Sequence, residues 1–193
     1  MQRICVFCGS SVGARAAYAQ AARDLGRALA DGGLGLVYGG GGGGLMGVLA
    51  DATLAAGGWV TGVIPEGLVA RELAHTALSE LRVVHSMHER KAVMAELADG
   101  FVVLPGGAGT MEEFFEIWSW AQLGIHHKPC GILNVDGYYD PLLALFDQMV
   151  GQQFLRPQHR SLVLVETEPR ALLARFASYR PPPAPQWIDT ADT

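Results

Sequence analysis

Lysine is nearly missing from this sequence: Lys91 and Lys128 are the only two among 193 residues. Any chemistry that needs a Schiff-base lysine therefore has two candidates, one of which, Lys128, stands directly before Pro129 in a loop entering a strand. Cysteine is scarce as well. Cys5, Cys8 and Cys130 are odd in number and follow no framework spacing, which argues against a disulfide-stapled secreted scaffold. Cys5-x-x-Cys8 lies in an apolar run, where strand alternation sends positions three apart to opposite faces, so neither redox nor metal chemistry is expected of the pair. A basic surplus is absent too. The formal net charge is −5, which gives no field to attract DNA, so nucleic acid is not an expected partner. No stretch approaches the roughly 18 uninterrupted apolar residues of a membrane span, and no charged-then-apolar leader opens the sequence. A cytoplasmic protein with no membrane partner is the expectation.

Half of the residues are apolar and 17% are charged, enough to bury a sizeable core. We expect one domain over 1–179, followed by a tail over 180–193 that Pro181, Pro182, Pro183 and Pro185 keep from extending the preceding helix. Apolar β-type runs recur at 4–8, 34–38, 59–64, 81–84, 101–104, 130–135 and 162–165, and most are followed by helical spacing. This alternation predicts a doubly wound, Rossmann-like α/β fold: a parallel sheet with helices on both faces. Such sheets bind ligands at the carboxyl ends of their strands. The segments of interest are therefore 9–13, 39–47, 65–67, 85–91, 105–113 and 136–139.

Two of these segments are glycine loops. In "YGGGGGGLMG" (38–47), six glycines run from a strand into a helix predicted from Leu45. Glycine lets a ligand approach the backbone, and a helix start offers unpaired N–H groups to an anion, which nominates Gly41, Gly42 and Gly43 as ligand contacts. The alternative is a floppy linker. Gly42-x-Gly44-x-x-Gly47 with Glu66 downstream also fits a dinucleotide fingerprint, but a run of six glycines meets many glycine patterns by accident. No Gly-Lys-Ser/Thr follows, which excludes a kinase-type P-loop. "PGGAGTMEE" (105–113) repeats the arrangement with Gly106, Gly107 and Gly109, and Ser10 stands in the loop after the first strand. Together the loops suggest a phosphorylated ligand lying between neighbouring strand ends. Thr110-x-x-Glu113 reads as a capping box, with Thr110 starting the helix and Glu113 reaching back to its N–H. It reads equally as chemistry: Glu112 and Glu113 would repel a phosphate unless their charge is used elsewhere on the ligand, as carboxylates are used in glycoside hydrolysis.

In "HSMHERKAVM" (85–94), Ser86-x-x-Glu89 is a second capping box and places Arg90 and Lys91 at the fourth and fifth helical positions. Cations there oppose the helix dipole by about 0.3–1 kcal/mol each when exposed, so something must offset them. They would bind phosphate or negative substrate charge, or else point to solvent or pair with Glu89 and Glu96. His85 and His88 flank the same turn, and His126-His127 makes a poor metal site without nearby acidic or cysteine partners.

Taken in order, Cys8-Gly-Ser-Ser11, the 39–47 loop ending Gly-Leu-Met-Gly, Met87-His-Glu-Arg90-Lys91, Pro105-Gly-Gly-Ala-Gly-Thr-Met-Glu-Glu113 and Trp120-Ala-Gln-Leu-Gly-Ile-His126 resemble the Lonely Guy family over about 3–165. Its members are cytokinin riboside 5′-monophosphate phosphoribohydrolases. The resemblance implies hydrolysis of the N-glycosidic bond of an adenine-type nucleoside 5′-monophosphate to free base and ribose 5-phosphate, with no organic cofactor and no metal. It implies a catalytic pair, Arg90 and Glu113. It further implies substrate contacts at Glu72, Lys91, Gly107, Ala108, Gly109, Thr110, Met111, Glu112 and Ser119. Ser119 stands where plant members look to have threonine, and Ala108 where they have tyrosine.

The family is similar in forming homodimers. Phe114, Phe115, Ile117, Trp118 and Trp120 give the helix after 110 more apolar surface than one stripe hides, as two apolar faces would require. The lysine decarboxylase label carried by relatives finds little support in two lysines. A non-catalytic nucleotide or molybdopterin carrier is the competing expectation, with a nicotinamide-dependent oxidoreductase behind it.

Overall fold

The computed structural model describes residues 1–69 and 74–181. Strands and helices alternate as β1 (Arg3–Phe7), α1 (Ala16–Asp31), β2 (Gly35–Tyr38), α2 (Gly44–Ala55), β3 (Val60–Pro65), α3 (Glu66–Val69), β4 (Glu80–Val84) and α4 (Met87–Leu97). They continue as β5 (Gly100–Val103), α5 (Ala108–Leu123), β6 (Cys130–Leu133), a 3-10 turn (Val135–Gly137), α6 (Asp140–Gly151), α7 (Pro157–Arg160), β7 (Val163–Glu166) and α8 (Pro169–Ala177). Each apolar run of the sequence coincides with one of these strands to within two residues.

All neighbouring strands pair in parallel, in the order β4-β3-β2-β1-β5-β6-β7. Helices cover both faces, so β3, β5 and β6 are buried at every position and read as unbroken apolar runs. Alternation along β1 assigns the two layers of core. Ile4, Val6 and Cys8 face α1, α2 and α8 together with Leu25, Leu49 and Leu172. Cys5 and Phe7 face α4, α5 and α6 together with Met94, Phe114, Trp118 and Phe146. Cys5 and Cys8 thus lie on opposite sides of the sheet, both buried and unpaired.

Along α5, Phe114, Ile117 and Trp118 are buried in the core, while Phe115 and Trp120 pack against it half-buried. Among the described residues no helix is long and apolar enough to cross a membrane. Most of the predicted tail, from 182 onward, lies outside the described residues.

The chain winds outward from β1 through β2, β3 and β4, then returns to β1 to begin again with β5. The loops leaving β1 and β5 therefore part in opposite directions, and a crevice opens between them at the carboxyl ends.

Candidate active site

Three loops meet at that crevice. The Gly9 N–H donates to the Pro105 carbonyl at 3.0 Å and the Leu45 N–H to the Gly9 carbonyl at 3.0 Å, joining the exits of β1, β2 and β5. Gly44, at φ +62°, lies so close to Ser10 that a Cβ there would fall 2.2 Å from the Ser10 carbonyl carbon. The six-glycine segment is thus a packed turn rather than a linker: Gly41 bridges Ala74, Gly42 packs on His75, and Gly43 is the residue before the first turn of α2. A cleft of about 280 Å³ remains, walled by Ser10, Gly106, Gly107, Tyr18 and Tyr138.

The start of α5 differs from expectation. The helix begins at Ala108 with Gly107 as its extended N-cap, so Thr110 is the third helical residue and caps nothing. Its side chain is buried against Gly106, where a Cβ would come within 2.1 Å of Thr110 Oγ1. A glycine cap has no side chain, and among the described residues the N–H groups of 107–110 meet no acceptor. Gly107 and Gly109 have open space where a Cβ would stand. This helix end is free to receive an anion.

With the capping box gone, Glu113 has no structural duty at the helix start. It sits half-buried in the sixth position of α5. Burial pushes its carboxyl up to about 7, with the Arg90 guanidinium pulling the other way and Glu112 adding to the rise. Glu112 answers to Lys91 instead. The Lys91 ammonium, 6% exposed, binds Glu112 and also reaches Glu116 Oε2 at 3.0 Å, tying α4 to α5. Of the two adjacent carboxylates one is therefore neutralised within the protein, and Glu113 is the one left for other use.

Arg90 explains how cations are tolerated near the start of α4. Ser86 Oγ accepts the Glu89 N–H at 3.1 Å as expected, but Glu89 reaches back to the His85 N–H rather than to that of Ser86. One turn on, Arg90 is 7% exposed and turns into the sheet rather than toward solvent, Glu89 or Glu96. Its Nε donates to the Val63 carbonyl at 3.1 Å and its Nη2 to the Gly39 carbonyl at 3.0 Å, with Nη1 3.6 Å from Met87 Sδ. Backbone oxygens of Gly39, just after β2, and of Val63, within β3, offset the charge, and among the described residues no carboxylate forms an ion pair with it.

Ala108 is exposed at the first position of α5, while Met111 is half-buried against the core. Ser119 is exposed about 16 Å further along the axis, and this chain does not bring it to the crevice. Glu72 lies outside the described residues. Glu66 pairs with His85 Nδ1 at 3.1 Å. Both ring nitrogens of His126 are used, one on the Ile117 carbonyl at 2.9 Å and one by the Lys128 N–H at 3.2 Å, and burial lowers its pKa to about 4. Two tyrosines joined to the crevice were given no role from the sequence: Tyr138 and Tyr139, whose hydroxyls reach the β5 exit. The only signal was their place just after β6, a strand next to β5.

A family model described as "Possible lysine decarboxylase" matches residues 46–176. The chain is 51% identical over 182 residues, 94% of its length and 74% of the relative's, to the probable cytokinin riboside 5′-monophosphate phosphoribohydrolase LOGL5 of Oryza sativa subsp. japonica. It is 47% identical over 180 residues to the cytokinin riboside 5′-monophosphate phosphoribohydrolase LOG3 of Arabidopsis thaliana, covering 93% of this chain and 84% of that one. Among solved structures, the molybdenum cofactor binding protein of Rippkaea orientalis superposes with a TM-score of 0.70 at 20% identity, over 92% of this chain and 96% of that one.

Proposed function

This chain belongs to the Lonely Guy family of cytokinin riboside 5′-monophosphate phosphoribohydrolases, and on that footing we propose that its crevice hydrolyses the N-glycosidic bond of such monophosphates, with AMP a further candidate substrate. The products are the free adenine-type base and ribose 5-phosphate. The observation that carries the assignment of roles is Glu113: a carboxyl with no cap to make and, among the described residues, no ion pair, its pKa raised by burial to about 7 despite the charge of the buried Arg90.

In this reading the open N–H groups at the start of α5 bind the 5′-phosphate, with Ser10 on the opposite wall. In the same reading the ribose lies toward Glu113, further along α5. Water adds to C1′ as the bond from C1′ to the base nitrogen breaks, through a transition state with oxocarbenium character. Glu113, as carboxylate, stabilises that positive charge and takes a proton from the water. The departing base gains one proton for the one the water loses, so the sum is neutral. Arg90 balances negative charge at the reacting centre from a position fixed by two carbonyls.

The lysine decarboxylase description has no support in the lysines, since Lys91 is bound to two carboxylates and Lys128 Nζ donates to the Ala95 carbonyl at 2.8 Å. The likeness to molybdenum cofactor carriers, at 19–20% identity, concerns the fold alone. We further take the working form to be a homodimer, because the exposed Ser119 would meet substrate only in the crevice of a second copy. A cytoplasmic setting suits three buried, unpaired thiols.

The test is to incubate the protein with N6-isopentenyladenosine monophosphate, AMP and the unphosphorylated riboside, following free base by chromatography beside Glu113→Gln. Base released from a monophosphate, and neither from the riboside nor by the variant, is the expected result. No release by a folded protein that still binds nucleotide would sink the hydrolase and favour a carrier.

A further inference from the structure

Three successive carbonyls at the exit of β5 are each taken by a neighbouring loop. The Tyr139 hydroxyl donates to the Leu104 carbonyl at 2.7 Å, the Gly9 N–H to that of Pro105 at 3.0 Å, and the Tyr138 hydroxyl to that of Gly106 at 2.6 Å. The segment is thus held by its oxygens. In a planar trans peptide the C=O and N–H point in opposite directions, so whatever fixes the Gly106 carbonyl also aims the Gly107 N–H. That N–H belongs to the N-cap of α5, on the side where Gly107 faces open space.

Tyr138 is itself presented by a stiff turn. Asp136 and Gly137 adopt φ of 50° and 69° in succession, a conformation that costs a non-glycine residue about 1 kcal/mol or more. The turn is clamped by Asn134, whose Nδ2 donates to Asp140 Oδ1 at 2.7 Å and whose Oδ1 accepts the Tyr139 N–H at 2.8 Å. The Tyr138 ring meets Tyr18 edge-on, with centroids 5.5 Å apart. At 40% exposure its hydroxyl bond adds little to the fold, because water competes for both partners. Local strain spent on such a bond calls for a use at the site.

We propose that Tyr138 is a positioning residue for phosphate recognition: by holding the Gly106 carbonyl it aims the Gly107 N–H at the 5′-phosphate. The inference rests on the reading of the α5 start as the phosphate site. It assigns the Tyr138 hydroxyl to selection of the phosphorylated substrate over the riboside.

The test is direct binding, independent of turnover. Ribose 5-phosphate and adenine are titrated calorimetrically into the wild-type protein and Tyr138→Phe, which keeps the ring and its contact with Tyr18. The expected result is about fivefold weaker binding of ribose 5-phosphate, the scale of one lost hydrogen bond, with adenine unchanged and the melting temperature within a degree or two. Equal affinities for ribose 5-phosphate in the two proteins would overturn the positioning role, as would parallel weakening of both ligands, which marks a general loosening. Wild-type protein that binds ribose 5-phosphate but releases no base from any monophosphate would refute the hydrolase alone and leave the role of Tyr138 standing. Failure of the wild type to bind ribose 5-phosphate overturns the α5 start as the phosphate site and with it the role of Tyr138, whatever base release shows.

Discussion

The Arg90 guanidinium occupies the space that a side chain at Gly39 would need: a Cβ built on Gly39 falls 1.9 Å from Arg90 Nη2. The first glycine of the six-glycine run is thus the floor under a buried arginine that enters the sequence 51 residues later.

Gly39→Ala should therefore expel the guanidinium and break its bonds to the Gly39 and Val63 carbonyls. We expect a loss of about 2–4 kcal/mol in urea unfolding, from overpacking plus lost charge-assisted hydrogen bonds. Monophosphate hydrolysis should fall by about 100-fold, since the group is displaced by more than an ångström. A fully active Gly39→Ala protein would show that Arg90 is not needed where it stands.

The pH dependence of turnover should carry an acid limb with its midpoint near 7, because burial raises Glu113 from an ordinary carboxylate's 4.5 to about 7 and the carboxylate is the working form. Glu113→Gln should lower kcat by about two orders of magnitude or more and erase the limb.

Stability should respond to the same group with the opposite sense. A folded-state value above the unfolded one means that the native protein binds this proton more tightly. The contribution is fully present below about 4.5 and lost as pH rises through about 7. Chemical denaturation should find Glu113→Gln more stable than the parent at pH 8 and equal to it at pH 4. A constant difference across that range would count against the shifted carboxyl.

Lys91 offers a second handle on that limb. Its charge lowers Glu113 while that of Glu112 raises it, so Lys91→Met should move the limb to higher pH and Glu112→Gln to lower pH. Lys91→Met should also cost about 1–3 kcal/mol, less than for a fully buried pair, because Glu112 is largely exposed. Limbs that move together, or not at all, would remove the electrostatic link between α4 and α5.

Ser86→Ala removes the one side-chain cap of α4 and should cost about 1 kcal/mol in thermal or urea unfolding. An unchanged midpoint would mean that water replaces the hydroxyl without loss.

The seven strands were legible because burial on both faces of a parallel sheet writes unbroken apolar runs. The placement of Arg90 and Lys91 near the start of α4 followed from Ser86. Their partners did not follow, because Arg90 is satisfied by backbone oxygens, which no residue type advertises, and Lys91 by carboxylates 21 and 25 positions away. The start of α5 was misread for a related reason. Thr110-x-x-Glu113 has the spacing of a cap, but extended backbone at Gly107 opens the helix earlier and sends Thr110 inward. Tyr138 falls in the 136–139 segment of interest, but its role is not legible there because its bond to Gly106 spans 32 positions and depends on which strands are neighbours.

The central position of β1 also governs when the protein becomes competent during its making. The register that sets Ile4 beside Gly100 joins the first strand to the fifth, so one edge of β1 stays unpaired until some hundred residues have emerged. The crevice lies on that late seam. Nascent or truncated chains ending before β5 carry the glycine turn and Arg90 but neither Glu113 nor the α5 start, so base release in a translation time course should begin only after the second half of the sheet has closed.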